Sequence, residues 1–146
     1  AIAAHEAPFA KRPGDLEAIR EALLACMWDD VGILRTAEGL RRGIGRLEAL
    51  QGELAACGVD GGDRAFNLAW HDWMNLSNLV AVSRVIATAA LAREDSRGAH
   101  FREDFPAPGS REGSDYTVVR SRDGRLELAR EPVRFTRVKP GETLVR

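Results

Sequence analysis

The sequence has few of the features that would indicate a disulfide framework, a polyanion-binding surface or a membrane span. Its two cysteines, Cys26 and Cys57, lie in apolar helical patterns and are interpreted as buried free thiols of a reducing compartment. Twenty-one Lys and Arg side chains are balanced by 22 Asp and Glu, so no global field favours nucleic acid or an anionic membrane. The longest apolar stretch, 79–92, is interrupted by Arg84. Because its pieces fall far short of the roughly 20 residues that span a bilayer, we expect no nucleic-acid partner and no direct membrane insertion.

Length and composition indicate one soluble domain. The chain has 146 residues, of which 45% are hydrophobic and 29% charged, enough for one core. The N-terminus lacks the charged and apolar segments of a secretory signal, and also an initiator methionine, which indicates a processed or truncated chain.

Apolar periodicity predicts three helices after a loosely held lead-in at 1–14. The first begins at the N-cap Asp15, the second at about Thr36, and the third runs from about Asp63 to Arg93. Gly58 is expected in the left-handed conformation that ends the second helix. The faces expected in the core are Leu16, Ile19, Leu23, Cys26 and Met27; Leu40, Ile44, Leu47, Leu50 and Leu54; and Phe66, Trp70, Trp73, Leu76, Val80 and Ala87.

Two features of these helices suggest close neighbours. Gly43 and Gly45 are each unfavourable inside a helix by about 1 kcal/mol, which favours close approach of another helix at both. Arg42 and Arg46 lie mostly on faces of the second helix other than the apolar one. The second half of the third helix is apolar nearly all round, so something beyond the other two helices should cover it.

The C-terminal part predicts a β-hairpin. Two alternating segments, 116–120 and 125–128, flank an Asp123-Gly124 turn, and 132–138 could add a third extended segment. The predicted fold is therefore mainly α: a three-helix bundle, spectrin-repeat-like, with a small C-terminal β-hairpin tail. Its parts are a lead-in at 1–14, the bundle with a terminal connector at 15–106, and the tail at 107–146.

Motifs for catalysis, cofactors and metals are incomplete. Gly43 and Gly45 have the spacing of a dinucleotide fingerprint, but Glu48 replaces the third glycine and the segment is helical. His71 has no second histidine four residues on, and the adjacent Asp29 and Asp30 are interpreted as a solvated helix end. We therefore expect no catalytic, cofactor-binding or metal-ligating residue in this chain.

The segment 96–106 is the strongest candidate for a functional role. It contains Arg97, Gly98, His100, Arg102 and Asp104. One interpretation is a charged loop that ends the third helix. The other is a rigid structural connector between domains, in which Gly98 adopts a conformation unfavourable for other residues and the arginines bind carboxylates or carbonyls across an interface.

Three segments resemble one known superfamily. Residues 91–106, which contain Ser-Arg-Gly-Ala-His, resemble the signature that ends the helical domain of succinate dehydrogenase and fumarate reductase flavoproteins. Residues 27–36 are similar to the segment that joins the first two helices there, especially in L-aspartate oxidase. Residues 124–134 resemble the succinate dehydrogenase type, except that Glu131 stands where arginine is usual.

The resemblance implies the C-terminal helical domain of an FAD-dependent oxidoreductase. The FAD-binding and substrate-capping domains, with their functional residues, would precede this chain. FAD is then expected in the full-length protein and not in this fragment, with the FAD-binding domain of the same chain as partner and an iron–sulfur subunit as a further candidate. The fragment alone is expected to be inactive and to self-associate. Localisation would be cytoplasmic, with membrane association only through partner subunits. An L-aspartate oxidase domain and a freestanding helical interaction module stay open as alternatives, and the substrate is open.

Overall fold

The protein is mainly helical, with one antiparallel hairpin. A computed structural model describes residues 2–123 and 125–142; Ala1, Gly124 of the predicted hairpin turn and residues 143–146 of the tail lie outside this range. The elements are α1 (Ile2–Glu6), a 3₁₀ turn (Ala7–Ala10), α2 (Leu16–Asp29), β1 (Leu34–Arg35), α3 (Ala37–Ala56), α4 (Leu68–Ala92), β2 (Phe101–Arg102), β3 (Asp115–Arg122) and β4 (Arg125–Pro132).

Side-chain caps fix where the three long helices begin. Asp15 accepts the Ala18 N–H at 2.9 Å, and Thr36 accepts the Gly39 N–H at 3.1 Å, as the sequence predicted. The third long helix, α4, begins later than predicted, because its cap is Asn67, which accepts the Trp70 N–H at 2.9 Å. The helix therefore begins at Leu68 rather than near residue 63.

The core lies between α2, α3 and α4. Trp73 on α4 also donates its indole N–H to the Leu54 carbonyl on α3 at 3.0 Å. Burying each large aliphatic side chain stabilises the fold by about 1.5–3 kcal/mol. The buried side chains are Ile19, Leu23 and Cys26 of α2, Leu40, Leu47, Leu50 and Leu54 of α3, and Trp73, Leu76, Val80, Ala87 and Ala90 of α4. Phe66, which was predicted to join them, is instead 97% exposed in the loop before α4, with φ +58°.

The N-terminal segment is anchored rather than loosely held. Pro8 is buried, and backbone bonds join Val59 N–H to Pro8 O at 3.3 Å and Gly58 N–H to Arg12 O at 2.7 Å. A Cβ at Gly58 would lie 2.2 Å from the Lys11 carbonyl oxygen. Gly58 does not have positive φ, so its predicted left-handed role is wrong. It is required for this close approach.

The end of α2 packs closely on α3. A Cβ at Gly43 would lie 2.9 Å from the Asp30 Cβ, which confirms the predicted close approach there, whereas Gly45 has nothing within 4 Å. Asp30 is buried, and its carboxylate accepts from Arg42 Nε and Arg46 Nη1, each at 2.8 Å. The interpretation of Asp30 as part of a solvated helix end is therefore wrong, whereas Arg42 and Arg46 lie off the apolar face as predicted.

The outer face of α4 is apolar and uncovered. Leu79, Val82 and Ile86, spaced three and four residues apart, are 43–55% exposed. By length and composition α4 could cross a bilayer, but core helices of soluble proteins share those properties. Its opposite face lies in the protein core.

The hairpin forms as predicted from its alternating segments. β3 pairs with β4 in antiparallel register, with Val118 opposite Ala129. The predicted third extended segment is wrong, because residues 133–142 contain no strand. Only the start of that segment continues the pairing, through a 2.8 Å bond from Val133 N–H to Ser114 O.

Candidate functional site

The connector after α4 folds back onto the start of α3. β2 pairs in parallel with β1, placing Arg102 beside Arg35, and the Glu103 N–H donates to the Arg35 carbonyl at 2.8 Å. A tight turn precedes β2, in which the backbones of Arg97 and His100 exchange hydrogen bonds of 2.7 and 3.0 Å. Gly98 occupies this turn with φ +57°, the positive value that the sequence predicted.

Arg102 is the centre of the connector. Its side chain is 1% exposed, and its Nη1 donates to the carbonyl oxygens of Ala90, Leu91 and Arg93 at 3.0–3.1 Å. These belong to the last turn of α4, where carbonyls lack helical partners. The guanidinium also lies 5.0 Å from the Phe105 ring centroid. The sequence suggested Arg97 for the role of binding helix-terminal carbonyls; Arg102 performs it.

Asp104 neutralises Arg102 and caps the next helix. Its carboxylate oxygens accept Arg102 Nε and Nη2, each at 2.7 Å, in a bidentate pair. One of them also accepts the Ala37 N–H at the start of α3, at 2.9 Å. The hydrogen bond from Arg102 is the largest cause of a pKa of Asp104 well below its usual range, despite partial burial, and the Ala37 N–H adds to it. The carboxylate is therefore ionised throughout the neutral range.

A buried serine closes the same loop. Ser96 Oγ accepts the Arg102 N–H at 2.8 Å and lies 2.8 Å from the Phe105 carbonyl, to which it donates. Its own N–H donates to Ala107 O at 3.1 Å. These bonds satisfy backbone polar groups of a segment that is mostly loop.

His100 lies between two arginines. Its Nδ1 is 2.9 Å from Arg35 Nη1, and its Nε2 is 3.4 Å from the Arg93 carbonyl. Burial lowers the pKa of His100, and the neighbouring charges of Arg35, Arg93 and Arg102 lower it further. The ring is neutral, accepts from Arg35 and directs its Nε2–H to the Arg93 carbonyl.

Arg97 and Arg93 bind the tail rather than the helix end. Arg97 donates to Ser114 Oγ at 2.6 Å and to Ser110 O at 3.0 Å. Arg93 donates to Asp115 O at 3.1 Å and pairs with Asp95 at 2.7 Å. These contacts hold the start of β3 against the end of α4.

The arrangement joins the end of α4 to the start of α3 and to the start of the tail. The five residues singled out in the sequence fall in one loop, and the structure adds Arg35, Ser96 and Arg93 to them. Across 2–123 and 125–142 no group of three His, Cys, Asp or Glu could hold a metal ion. Gly43 does not begin a dinucleotide fingerprint, because it lies within α3 against Asp30 instead of in a strand-to-helix turn.

The helical domain, its connector and the C-terminal hairpin together match one family model. The family model described as fumarate reductase flavoprotein C-term matches residues 20–144. The chain belongs to this family.

Similar proteins are much longer than this chain. It is 35% identical over 125 residues to the fumarate reductase flavoprotein subunit of Mycobacterium tuberculosis, covering 85% of this chain and 21% of that protein. An L-aspartate oxidase of Yersinia pestis is 38% identical over 80 residues, 55% of this chain and 14% of the oxidase. The Mycobacterium smegmatis Sdh1 complex has a chain that superposes with a TM-score of 0.73 at 30% identity, covering 88% of this chain and 22% of that one. This chain thus spans about a fifth of the length of the relatives that it matches.

Proposed function

We propose that this chain is the C-terminal helical domain of an FAD-dependent succinate/fumarate-type oxidoreductase and that it packs on and supports the flavin domain. The observation that carries the proposal is the uncovered apolar face of α4, with Val82 at its middle. Large contiguous apolar surfaces are unusual on isolated proteins and mark interfaces. Family membership and the chain's small share of its relatives' length support a cover from the same polypeptide.

In this proposal the chain contributes scaffold and no reacting group. The lead-in at 1–14 closes one end, residues 15–106 form a spectrin-repeat-like three-helix bundle with the connector, and the tail at 107–146 braces the connector. Arg97, Gly98, His100, Arg102 and Asp104 hold the domain in one shape at its boundary. FAD would be bound by the preceding part of the protein. An iron–sulfur subunit is a further candidate partner. The domain would then be cytoplasmic and would associate with a membrane only through such partner subunits.

The test compares the full-length protein with the 146-residue chain. The full-length protein should purify with FAD and should reduce fumarate with a reduced dye or oxidise succinate. The chain alone should fold, bind no FAD and turn over neither substrate. Flavin absorbance on the chain alone, or a colourless full-length protein, would contradict the proposal.

An L-aspartate oxidase domain is the second candidate, favoured by 38% identity to the Yersinia pestis enzyme over 80 residues, which is 55% of this chain. Production of hydrogen peroxide from aspartate by the full-length protein, without succinate oxidation, would select it. A freestanding interaction module is the third. A gene with no Gly-x-Gly-x-x-Gly strand–turn–helix upstream of this sequence would favour that alternative.

A further inference from the structure

One surface combines exposed apolar side chains with an arginine that lacks an acidic partner. We call it the Arg35 surface: two adjoining open clefts lined by Trp28, Ile33, Leu34, Arg35, Ile86 and His100. Arg35 lines both clefts, and Ile86 extends the surface onto the apolar face of α4. Trp28 and Ile33 are 79% and 73% exposed. Exposed apolar groups of this size gathered in one place indicate an interface.

The guanidinium of Arg35 is held in place with only neutral partners. Its Nε donates to the carbonyls of Gly32 at 2.7 Å and Val31 at 3.1 Å, and its Nη1 binds neutral His100 at 2.9 Å. Among residues 2–123 and 125–142, no carboxylate lies within 4.0 Å of it, and Nη2 makes no hydrogen bond. Burial alone lowers the pKa of Arg35, without an opposing effect from an acid.

A partner that covered this surface would remove the remaining water from Arg35. Burying an uncompensated charge costs several kcal/mol, whereas a carboxylate on the open edge of the guanidinium offsets much of that cost. Of the acidic groups described, Asp29 lines one cleft and Asp115 the other, but neither is within 4.0 Å of the Arg35 guanidinium, and Asp29 lies 4.0 Å from Arg46. The carboxylate must therefore come from the partner.

We infer that the Arg35 surface is the docking site for the preceding part of the same polypeptide, which presents an Asp or Glu carboxylate to Arg35 Nη2. This inference rests on the proposed function, because it takes the occupant to be the flavin-binding part. About four-fifths of the length of the relatives lies outside this chain. A permanent neighbour of that size accounts for both the apolar clefts and the missing negative charge.

Carbodiimide cross-linking of the full-length protein tests the inference, since it joins an amine to a carboxylate in direct contact. R35K places an amine at the proposed contact. A99K places one at the rim of the same surface and leaves every hydrogen bond of Arg35 in place, so it serves if R35K does not fold. R41K, on an exposed position of α3, is the matched control. We expect peptides that join position 35 or 99 to an Asp or Glu upstream of this chain, and none from position 41.

Three results would overturn the inference: links confined to this chain, links between two copies through Asp29, or upstream links equally frequent from position 41. Hydrogen exchange gives a second measurement. R35M should make amides of β1 and the second half of α4 exchange about tenfold faster or more than R41M does. Unchanged exchange there would contradict docking through Arg35, while faster exchange at core Leu47 would report global unfolding. FAD content of the wild-type protein is measured separately, so failure of the proposed function is distinguished from failure of this contact.

Discussion

Arg102 and Asp104 are two residues apart, and together they join the C-terminal end of α4 to the N-terminal end of α3. Arg102 donates to the last carbonyls of α4, and Asp104 accepts both its guanidinium and the Ala37 N–H. The cation therefore lies at the negative end of one helix dipole and the carboxylate at the positive end of the other. Each of the two side chains therefore binds backbone groups at a helix end as well as the opposite charge.

Replacing Arg102 should destabilise the fold strongly. R102M removes the cation from the partly exposed Asp104 carboxylate and the donor from the Ala90 and Leu91 carbonyls, which should cost about 2–4 kcal/mol. The measurement is the free energy of unfolding in urea. R41M, at an exposed position of the same chain, should change it by less than about 0.5 kcal/mol.

Replacing Arg97 should lower the free energy of unfolding less than replacing Arg102. Its side chain is 32% exposed and binds Ser110 and Ser114 of the tail, so R97A should loosen the start of the hairpin more than it affects the helices. Limited proteolysis should cut R97A faster near residues 109–115. An R97A protein as destabilised as R102M would contradict this division of roles.

The stability of the protein should depend on pH through Asp104. The pKa of this carboxyl is lower in the folded protein than in the unfolded chain, so the ionised form stabilises the fold at neutral pH. This stabilisation is lost progressively as the pH falls below about 4, the pKa of the carboxyl in the unfolded chain. D104N removes the titrating group. The fall in the urea midpoint between pH 6 and pH 3 should be smaller in D104N than in the wild type, and an equal fall would show that other carboxyls are responsible.

Two glycines of α3 should respond oppositely to alanine. A Cβ at Gly43 would lie 2.9 Å from Asp30 Cβ and 3.1 Å from Val31 Cγ2, so G43A should destabilise by about 1–3 kcal/mol. Gly45 has open space around it, and G45A should stabilise by about 0.5–1 kcal/mol through helix propensity. Thermal unfolding of the two variants checks the difference in sign.

Local signals were sufficient where the cause is local. Asp15 was predicted as a cap, and Thr36 as the approximate start of the second helix, because a cap binds a backbone N–H three residues on, within the same stretch of sequence. The left-handed conformation predicted for Gly58 was wrong. Glycine is required there because the Lys11 backbone, 47 positions earlier in the sequence, approaches closely, and no local pattern reveals such a contact. Phe66 was placed in the core because it extends the apolar period of α4, but α4 begins only after the Asn67 cap, so Phe66 lies in the preceding loop.

The connector was found from its density of charged residues and its resemblance to a known signature, but the roles within it were not. Arg97 and Arg102 are indistinguishable in sequence, and only the parallel pairing of β1 with β2 turns Arg102 inward. Asp30 had a usable signal: Arg42 and Arg46, four apart on one helical face, can both reach an acid at the end of the preceding helix. Two cations aligned in this way favour a shared carboxylate over three solvated charges.

The 146-residue chain should self-associate through the outer face of α4. Leu79, Val82 and Ile86 form a stripe that water contacts in the isolated chain, and pairing two such stripes removes apolar area at a gain of about 25 cal/mol per Å². V82E places a charge at the centre of the stripe, where the Val82 side chain is 55% exposed in the monomer. Light scattering over a range of concentrations should therefore give a mass that rises for the wild type and stays monomeric for V82E. Glu48, exposed on α3, provides the control E48Q, which should associate like the wild type. A wild-type chain that remains monomeric at high concentration would mean that this face is stable in water, and the main support for a covering domain would be lost.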